Sequence, residues 1–422
     1  MSSIRKAFGS WRVGVMIPLG FSSGMPNPMI GSTLTAWLAS EGVDKTTIGL
    51  FALVSLPYNL KFLWAPIMDR FKLPVLTRRR GWMLLCQWLV FGAVGVLAHL
   101  DPAQASGMVA IAALVVAFFS ASQDIVTDAY RTDVLSFTER ASGTAVFVAG
   151  YRLAMIVAGA GALILSDYLS WKAVYLMLGA MVALSSLATY FAPVPDEVAS
   201  TPKSWSEAIA KPIAEFFSRR GSVRWTLAIL TIVALYKVGD AVAGHMLIPF
   251  LMDVGFSRTE VGAMLKGVGL AATMGGALLG GVLVPRWGLR RTLIGFGLLQ
   301  AVANILYASL AVVGKDYALM ATAITIDNLC GGLGTAAFVA FLMTLCNKRF
   351  TAFQYALLSS LASVAGRFLG AGGGWMVEQW DWATFFIVTI LAAVPALFLL
   401  FIVDIPEDQP ESEAESRKAE SS

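Results

Sequence analysis

From Gly107 to Phe119 the chain reads GMVAIAALVVAFF, thirteen residues without a charge, and stretches of this kind recur from one end of the sequence to the other. Windows of roughly 18 to 25 mostly apolar residues are long enough to cross a hydrocarbon core of about 30 Å as helices. Only 14% of the 422 residues are charged, against about 25% in soluble globular proteins. Lipid, not water, is the solvent this surface suits. The reading is an all-α polytopic membrane protein. Its first apolar run, 13–38, is too long for the h-region of a cleaved signal, about 7–15 residues, and is read as a retained span.

Turn and charge clusters divide the chain into twelve expected spans: 13–39, 47–69, 82–100, 107–131, 141–165, 171–192, 223–250, 259–285, 291–313, 317–345, 351–377 and 383–404. Assigning alternate loops to opposite sides puts 22 Lys and Arg on the side holding both termini and 4 on the other. Short loops obey the positive-inside rule, so both termini are expected in the cytoplasm. The organisation read from this is a six-helix bundle over 1–192, a linker over 193–222, a second six-helix bundle over 223–404 and a disordered acidic tail over 405–422. In the linker, Ser204 and Glu207 fit a capping box. Trp205, Ile209, Ile213, Phe216 and Phe217 then recur at helical spacing opposite Lys203, Lys211 and Arg219, which predicts an interfacial helix kinked at Pro212.

The charges that remain are the informative ones. Lys61, Arg152, Lys237, Lys266 and Arg367, with Asp124, Asp128, Asp240 and Asp327, fall at membrane depth. Each costs about 2.5–3.5 kcal/mol at a helix centre, so such residues face a cavity or a partner. In SASQDIVTDAYR, residues 120–131, Asp124, Asp128 and Arg131 are spaced i, i+4, i+7 and share one helix face beside Gln123. The fifth span brings Tyr151 and Arg152 back at a neighbouring depth. Lys237 and Asp240 (i, i+3) can neutralise each other, and Asp327-Asn328 with Arg367 repeat an acid-then-arginine arrangement.

Two further spans are irregular. Residues 22–28, SSGMPNP, interrupt the first near mid-depth, and Gly239, Gly244 and Pro249 disturb the seventh at an equivalent place. Broken helices at matching positions of two halves point to a midplane substrate site. The glycine pairs 275–276, 280–281 and 331–332, and the run 370–374, are read as close-packing surfaces. Cys86, Cys330 and Cys346 lack metal-ligand or disulfide spacing and are read as packing residues. No phosphate-binding loop of the G-x-x-x-x-G-K-[ST] type occurs, and His99 and His245 form no nucleophile–base constellation. A membrane-embedded enzyme or sensor is therefore the weaker reading, a transporter without cofactor or metal the stronger. The net charge of +4 gives no reason to expect nucleic acid, and the chain is read as a monomer in the bilayer.

Two resemblances sharpen this. The second span ends in PIMDRFKLPVLTRRRG, residues 66–81, and the eighth in GGVLVPRWGLRRT, residues 280–292. Basic, glycine-containing turns in these two places resemble the cytoplasmic signature loop of the major facilitator superfamily. That resemblance implies a cytoplasmic gate around Asp69, Arg70, Arg131 and Arg286. The stretches SGMPNPMIGSTLTAWL, TTIGLFALVSLPYNLKFLWAPIMDR, SASQDIVTDAYR and AVFVAGYRLAM resemble the AmpG family of muropeptide permeases within that superfamily. The family implies proton-driven import of anhydromuropeptides across the bacterial inner membrane. It places Gln123, Asp124, Asp128, Tyr130, Arg131, Tyr151 and Arg152 at motif positions. Related branches handle siderophores or acyl-CoA, and those organic anions are the alternative substrates.

The candidate substrate-facing residues are Asn27, Tyr58, Lys61, Gln123, Tyr151, Arg152, Lys237, Asp327, Asn328 and Arg367. The candidate proton-coupling acids are Asp124, Asp128 and Asp240. Asp124 leads them: Asp128 has Arg131 within a turn and Asp240 has Lys237. The competing reading makes Asp124 and Arg152 a permanent structural pair.

Overall fold

The computed structural model describes residues 9–195, 204–218, 222–371 and 373–405. Among these no strand occurs, and nine helices are long and apolar enough to cross a membrane. They are Arg78–Leu97, Pro102–Val134, Phe137–Ser166, Trp171–Phe191, Val223–Asp253, Thr259–Trp287, Leu289–Val313, Tyr317–Thr344 and Trp382–Ile402. Of the other three expected spans, the first and second are strings of shorter helical segments over 11–40 and 45–70, and the eleventh contains the helices Thr351–Ala371 and Gly373–Gln379.

Local chemistry explains the segmentation. In the second span Pro57 and Pro66 each sit in the first turn of a new segment, Leu56–Leu60 and Ala65–Arg70. Proline lacks an N–H and clashes with the preceding turn, so it opens helices and does not continue them. The stretches between, Phe51–Ser55 and Lys61–Leu63, tighten to 3-10 geometry. In the first span a new segment starts at Pro26, and Gly31 (φ −102°, ψ −110°) leaves helical geometry altogether. The seventh span breaks elsewhere than its glycines and proline suggest. Helix Val238–Asp253 runs through Gly244 and Pro249, and the break falls at Tyr236–Lys237. There Lys237 (φ −103°, ψ 4°) turns its ammonium to Asp240. Gly239 then brings the helix so near the Thr389 carbonyl that a Cβ would stand 2.5 Å from it.

Glycine sets the closest helix contacts in both halves. A side chain on Gly20 or Gly24 would run into the Phe147 or Tyr151 carbonyl of the fifth span, and one on Gly150 into the Ile17 carbonyl of the first. In the second half Gly276 and Gly332 interlock the eighth and tenth spans against the carbonyls of Leu329 and Thr273. Gly275 faces open space and takes no part in this contact.

The linker helix Trp205–Ser218 also runs through its proline. Ser204 caps it by accepting the Glu207 N–H at 3.1 Å, and Lys211 pairs with Glu207 at 2.5 Å. Ala208, Pro212 and Phe216 form its buried stripe, while Trp205, Ile209 and Ile213 are exposed. Lys203, Arg219 and the tail beyond residue 405 lie outside the described residues.

The glycine contacts are testable. Gly150→Leu and Gly276→Leu force a side chain into a backbone carbonyl and should cost about 1–3 kcal/mol by overpacking. Gly92→Leu, at a position with no neighbour within 4 Å, should cost little. Thermal unfolding of the three purified variants checks this; equal midpoints would remove glycine packing as the reason for these residues.

Candidate functional site

The opening serines and amide of SASQDIVTDAYR tie the first half together. Gln123, buried, donates from Nε2 to Ser22 Oγ at 2.8 Å, and Gln87 donates to the same oxygen at 3.1 Å. Tyr58 donates to Ser120 at 2.8 Å and Trp64 Nε1 to Ser122 at 2.9 Å. The broken first span and the segmented second span are thus fastened to the fourth by neutral hydrogen bonds. Asn27 Nδ2 meets Tyr151 Oη at 3.4 Å, which links first to fifth.

Below this layer Asp128 pairs with Arg131 at 2.7 Å, as their i, i+3 spacing allows, and with Lys61 at 3.5 Å. Asp124 and Arg152 do not pair with each other. Among the described residues Asp124 makes no ion pair, and Arg152 reaches only Met155 Sδ, at 3.7 Å. Among the described residues, Asp124 and Arg152 therefore stand in the midst of long apolar helices without ionic partners.

The second half is arranged differently. Lys237 Nζ lies 2.8 Å from Asp240 Oδ2 and 3.5 Å from the Gly331 carbonyl. Gln300 Nε2 donates to Asp240 Oδ1 (3.2 Å) and to Asp327 Oδ1 (2.6 Å), and Tyr307 donates to Asp327 Oδ2 (3.2 Å). Asn328 turns the other way and accepts from Thr273 at 2.9 Å, between the tenth and eighth spans. Arg367 stands on helix Thr351–Ala371, with its side chain outside the described residues. Gln300 and Tyr307 escape a reading based on charge because both are neutral. A usable signal was there: Gln300, Asn304 and Tyr307 repeat the i, i+4, i+7 spacing on one face of an otherwise apolar helix.

The halves meet at the ends that carry most of the loop charge. Asp69, 0% exposed, accepts the backbone N–H of Ala352 at 3.2 Å and of Phe353 at 2.8 Å, in the first turn of the eleventh span. Its carboxylate also lies 2.9 Å from Arg79, which is 2% exposed and whose Nε donates to Asp133 at 2.7 Å. Asp133 in turn accepts from Thr351 at 2.6 Å. Two carboxylates held by one guanidinium thus grip a helix N-terminus, the end whose free N–H groups favour negative charge. Arg131 donates to Tyr355 at 3.1 Å and stacks over Phe147 at 4.3 Å, and Arg140 donates to Thr344 at 3.1 Å. Gly281 packs on the fifth span so closely that a Cβ would stand 2.9 Å from Ser142 Cα. Arg70 lies over the Trp205 ring at 4.7 Å, and Arg286 is exposed at the end of the eighth span. Arg79, Asp133 and Thr351 were not singled out in the sequence, where Arg79 is one of three consecutive arginines and Asp133 lies just past the motif.

Membrane-crossing helices in two halves, polar between them and joined by hydrogen bonds to charged groups at one end, define a membrane transporter. The Major Facilitator Superfamily profile matches residues 16–275 and 238–421. The "Anhydromuropeptide permease" of Escherichia coli (strain K12) is 44% identical over 403 residues, covering 95% of this chain and 81% of that protein. The "Putative transporter AmpG 4" of Rickettsia felis is 32% identical, covering 95% and 98%. Among solved structures, the fold is similar to the transporter FucP in its outward conformation (TM-score 0.71, 11% identity, 92% of this chain and 98% of that one). It is also similar to a bacterial homologue of ferroportin in an outward-facing state (TM-score 0.67, 15% identity, 92% and 98%). The chain belongs to the AmpG family of the Major Facilitator Superfamily.

If this seal closes the cytoplasmic side, weakening it must shift the protein toward the opposite state. Asp69→Asn leaves the amides of Ala352 and Phe353 a neutral acceptor and Arg79 one carboxylate fewer, a change of about 1–3 kcal/mol. Gly281→Leu wedges the fifth and eighth spans apart. In a background without native cysteines, a Tyr58→Cys probe should lose at least several-fold in labelling by an impermeant maleimide added outside. Unchanged labelling in both variants would refute the gate.

Proposed function

We propose that this chain is a secondary transporter that carries anhydromuropeptides from periplasm to cytoplasm across a bacterial inner membrane, by alternating access and coupled to protons. The observation that carries the reading is Arg152, a guanidinium at membrane depth without a carboxylate partner, in a chain 44% identical to an anhydromuropeptide permease. A muropeptide is large, sugar-bearing and rich in carboxylates. Arg offers a planar fork for bidentate carboxylate binding, and an unpaired one has that fork to give.

In this reading Arg152 and Arg367 take substrate carboxylates from the two halves. Lys61, Lys237 and Asp327 border the same path, with Asn27, Tyr58, Gln123, Tyr151 and Asn328 as neutral hydrogen-bonding groups. Asp124 carries the coupling proton, because Asp128 is already held by Arg131 and Lys61, and Asp240 by Lys237. The cycle then needs the Asp69–Arg79–Asp133 seal to release the eleventh span, so that the loaded site faces the cytoplasm. The protein is proposed to act as a monomer.

Uptake of radiolabelled anhydromuropeptide into inverted and right-side-out vesicles tests the substrate. Failure to accumulate it under an inward proton gradient would overturn the reading. Arg152→Ala and Arg367→Ala should each lower uptake about tenfold or more at unchanged protein level, which is the scale of one lost charged hydrogen bond. Arg152→Lys should recover little, since a point charge does not replace the fork.

A separate assay addresses coupling. Asp124→Asn should abolish accumulation against a gradient while substrate still equilibrates downhill. Accumulation by that variant with an unchanged response to the pH gradient would exclude Asp124 as carrier.

A further inference from the structure

At the end of the first half opposite the Asp69 grip lies a cavity of about 540 Å³, within the roughly 300–1,000 Å³ usual for ligand pockets. Helix Pro102–Val134 spans the distance between the two places: it starts at this cavity and carries Asp133 of the grip at its far end. Three parts of the chain form the cavity. The first span supplies Trp37 and Glu41, the turn between the third and fourth supplies His99 and Asp101, and the start of the sixth supplies Trp171 and Lys172.

The walls suit an ammonium and a phosphate held side by side. Glu41, Asp101 and Lys172 are all exposed, and among the described residues no ion pair joins Lys172 to either acid. Charges of both signs thus share one cavity without cancelling each other. His99 Nδ1 lies 2.7 Å from the Gly95 carbonyl, to which it can only donate, so in the neutral ring Nε2 is an acceptor. Trp171 donates from Nε1 to Ser40 at 2.9 Å and stacks with Trp37, their ring centroids 6.2 Å apart. Tryptophan is the side chain that gathers at the level of lipid headgroups.

A second cavity, of about 270 Å³, adjoins the first, and Leu100 lines both. It is a groove between the third and fourth spans, and every side chain along it is apolar. Buried Ala93 and Ala112 form the floor, and exposed Val96, Met108 and Ile111 stand along it. On the fourth span the passage from one cavity to the other is marked in the backbone. Ala105 leaves helical geometry (φ −137°, ψ 44°) between Pro102, which lines the polar cavity, and Met108, which lines the groove. A soluble zwitterion would use the polar cavity alone. A ligand with a charged head and an acyl chain uses both, and the bilayer supplies it.

We propose that the first half binds one molecule of phosphatidylethanolamine at this end. Its ammonium lies against Glu41, Asp101 and His99, its phosphate against Lys172, and one acyl chain fills the groove between the third and fourth spans. The lipid bridges the end of the first span, the turn before the fourth and the start of the sixth. None of the candidate substrate-facing residues lines either cavity, so the site does not depend on which solute is carried.

The test uses the full purified chain without any transport substrate, so that its failure is distinct from a failure of muropeptide uptake. The protein is incubated with equal amounts of phosphatidylethanolamine and phosphatidylglycerol of identical acyl chains, and native mass spectrometry reads the two one-lipid adducts. Phosphatidylglycerol keeps the phosphate and the chains and lacks the ammonium. Two variants are measured alongside. One combines Glu41→Gln with Asp101→Asn, where asparagine can still cap the fourth span as Asp101 does through the Ala103 N–H. The other is Ala112→Phe, which fills the floor of the groove.

The phosphatidylethanolamine adduct should exceed the phosphatidylglycerol adduct several-fold in the native chain. The preference should vanish in the acid variant, and Ala112→Phe should lower the phosphatidylethanolamine adduct several-fold. An excess of glycerophosphoethanolamine, the head without chains, should not displace the lipid. Equal adducts in the native chain, or a preference unchanged in the acid variant, overturn the proposal. Displacement by the free head at equal concentration also overturns it, because the pocket then binds a soluble ammonium phosphate. Should Ala112→Phe not fold, the acid variant and the free head decide.

Discussion

A carboxylate with no exposed surface has to be met by donors on every side, and Asp69 is met by one guanidinium and two backbone amides. The amides belong to the other half of the molecule. This makes the contact both strong and breakable, because the donors move away together as the first turn of one rigid helix. Losing one partner of a buried pair costs about 3–5 kcal/mol, since the charge left behind is uncompensated. Arg79 lowers that penalty. It lies within the first half between Asp69 and Asp133, so its one positive charge stays beside both acids whatever the amides do. The rest of the closed arrangement depends on this grip: Arg131 on Tyr355, Arg140 on Thr344 and Gly281 on Ser142 require the helix ends to be already in register.

The two halves share an architecture and divide the electrostatics unequally. In the first half the neutral groups are bonded among themselves, around Ser22, Ser120 and Ser122, while Asp124 and Arg152 have no ionic partner among the described residues. In the second the charged groups are netted together through Gln300. An unpaired charge can answer a solute or a proton; a netted one answers only when the whole net rearranges.

Much of this was legible in the residues. Apolar windows carry the all-helical, membrane-crossing architecture, because hydrophobic length is a one-dimensional property. Pairs within one helix, Asp128 with Arg131 and Lys237 with Asp240, follow from i, i+3 spacing alone. Contacts between distant elements do not. Nothing in the sequence around Asp69 announces that its acceptors face residues 352 and 353, since the donors are backbone amides that every residue except proline possesses. The absence of an Asp124–Arg152 pair is equally invisible, as it depends on side-chain direction across two helices. The break in the seventh span misled for a related reason. Pro249 is a local breaker that helix Val238–Asp253 tolerates, whereas the break at Lys237 accompanies a turn toward Asp240.

The linker helix behaves as a hasp. Its first residue, Trp205, touches the first half through Arg70, a cation over a half-exposed ring, worth about 0.5–1 kcal/mol at such sites. Its far end is fastened to the second half. Gln354 donates to the Pro212 carbonyl at 3.1 Å and to Glu215 at 2.9 Å, and Asn347 reaches the same carboxylate at 3.4 Å. Bonds to a charged acceptor are the stronger kind, about 1.5–3 kcal/mol each. The helix is thus tied by charged hydrogen bonds to the second half and by a cation–ring contact to the first. Trp205, Ile209 and Ile213 are its exposed apolar side chains, so any movement that carries this helix also carries an apolar stripe of the kind that lies in a membrane interface, and the stiffness of a surrounding leaflet would then resist turnover.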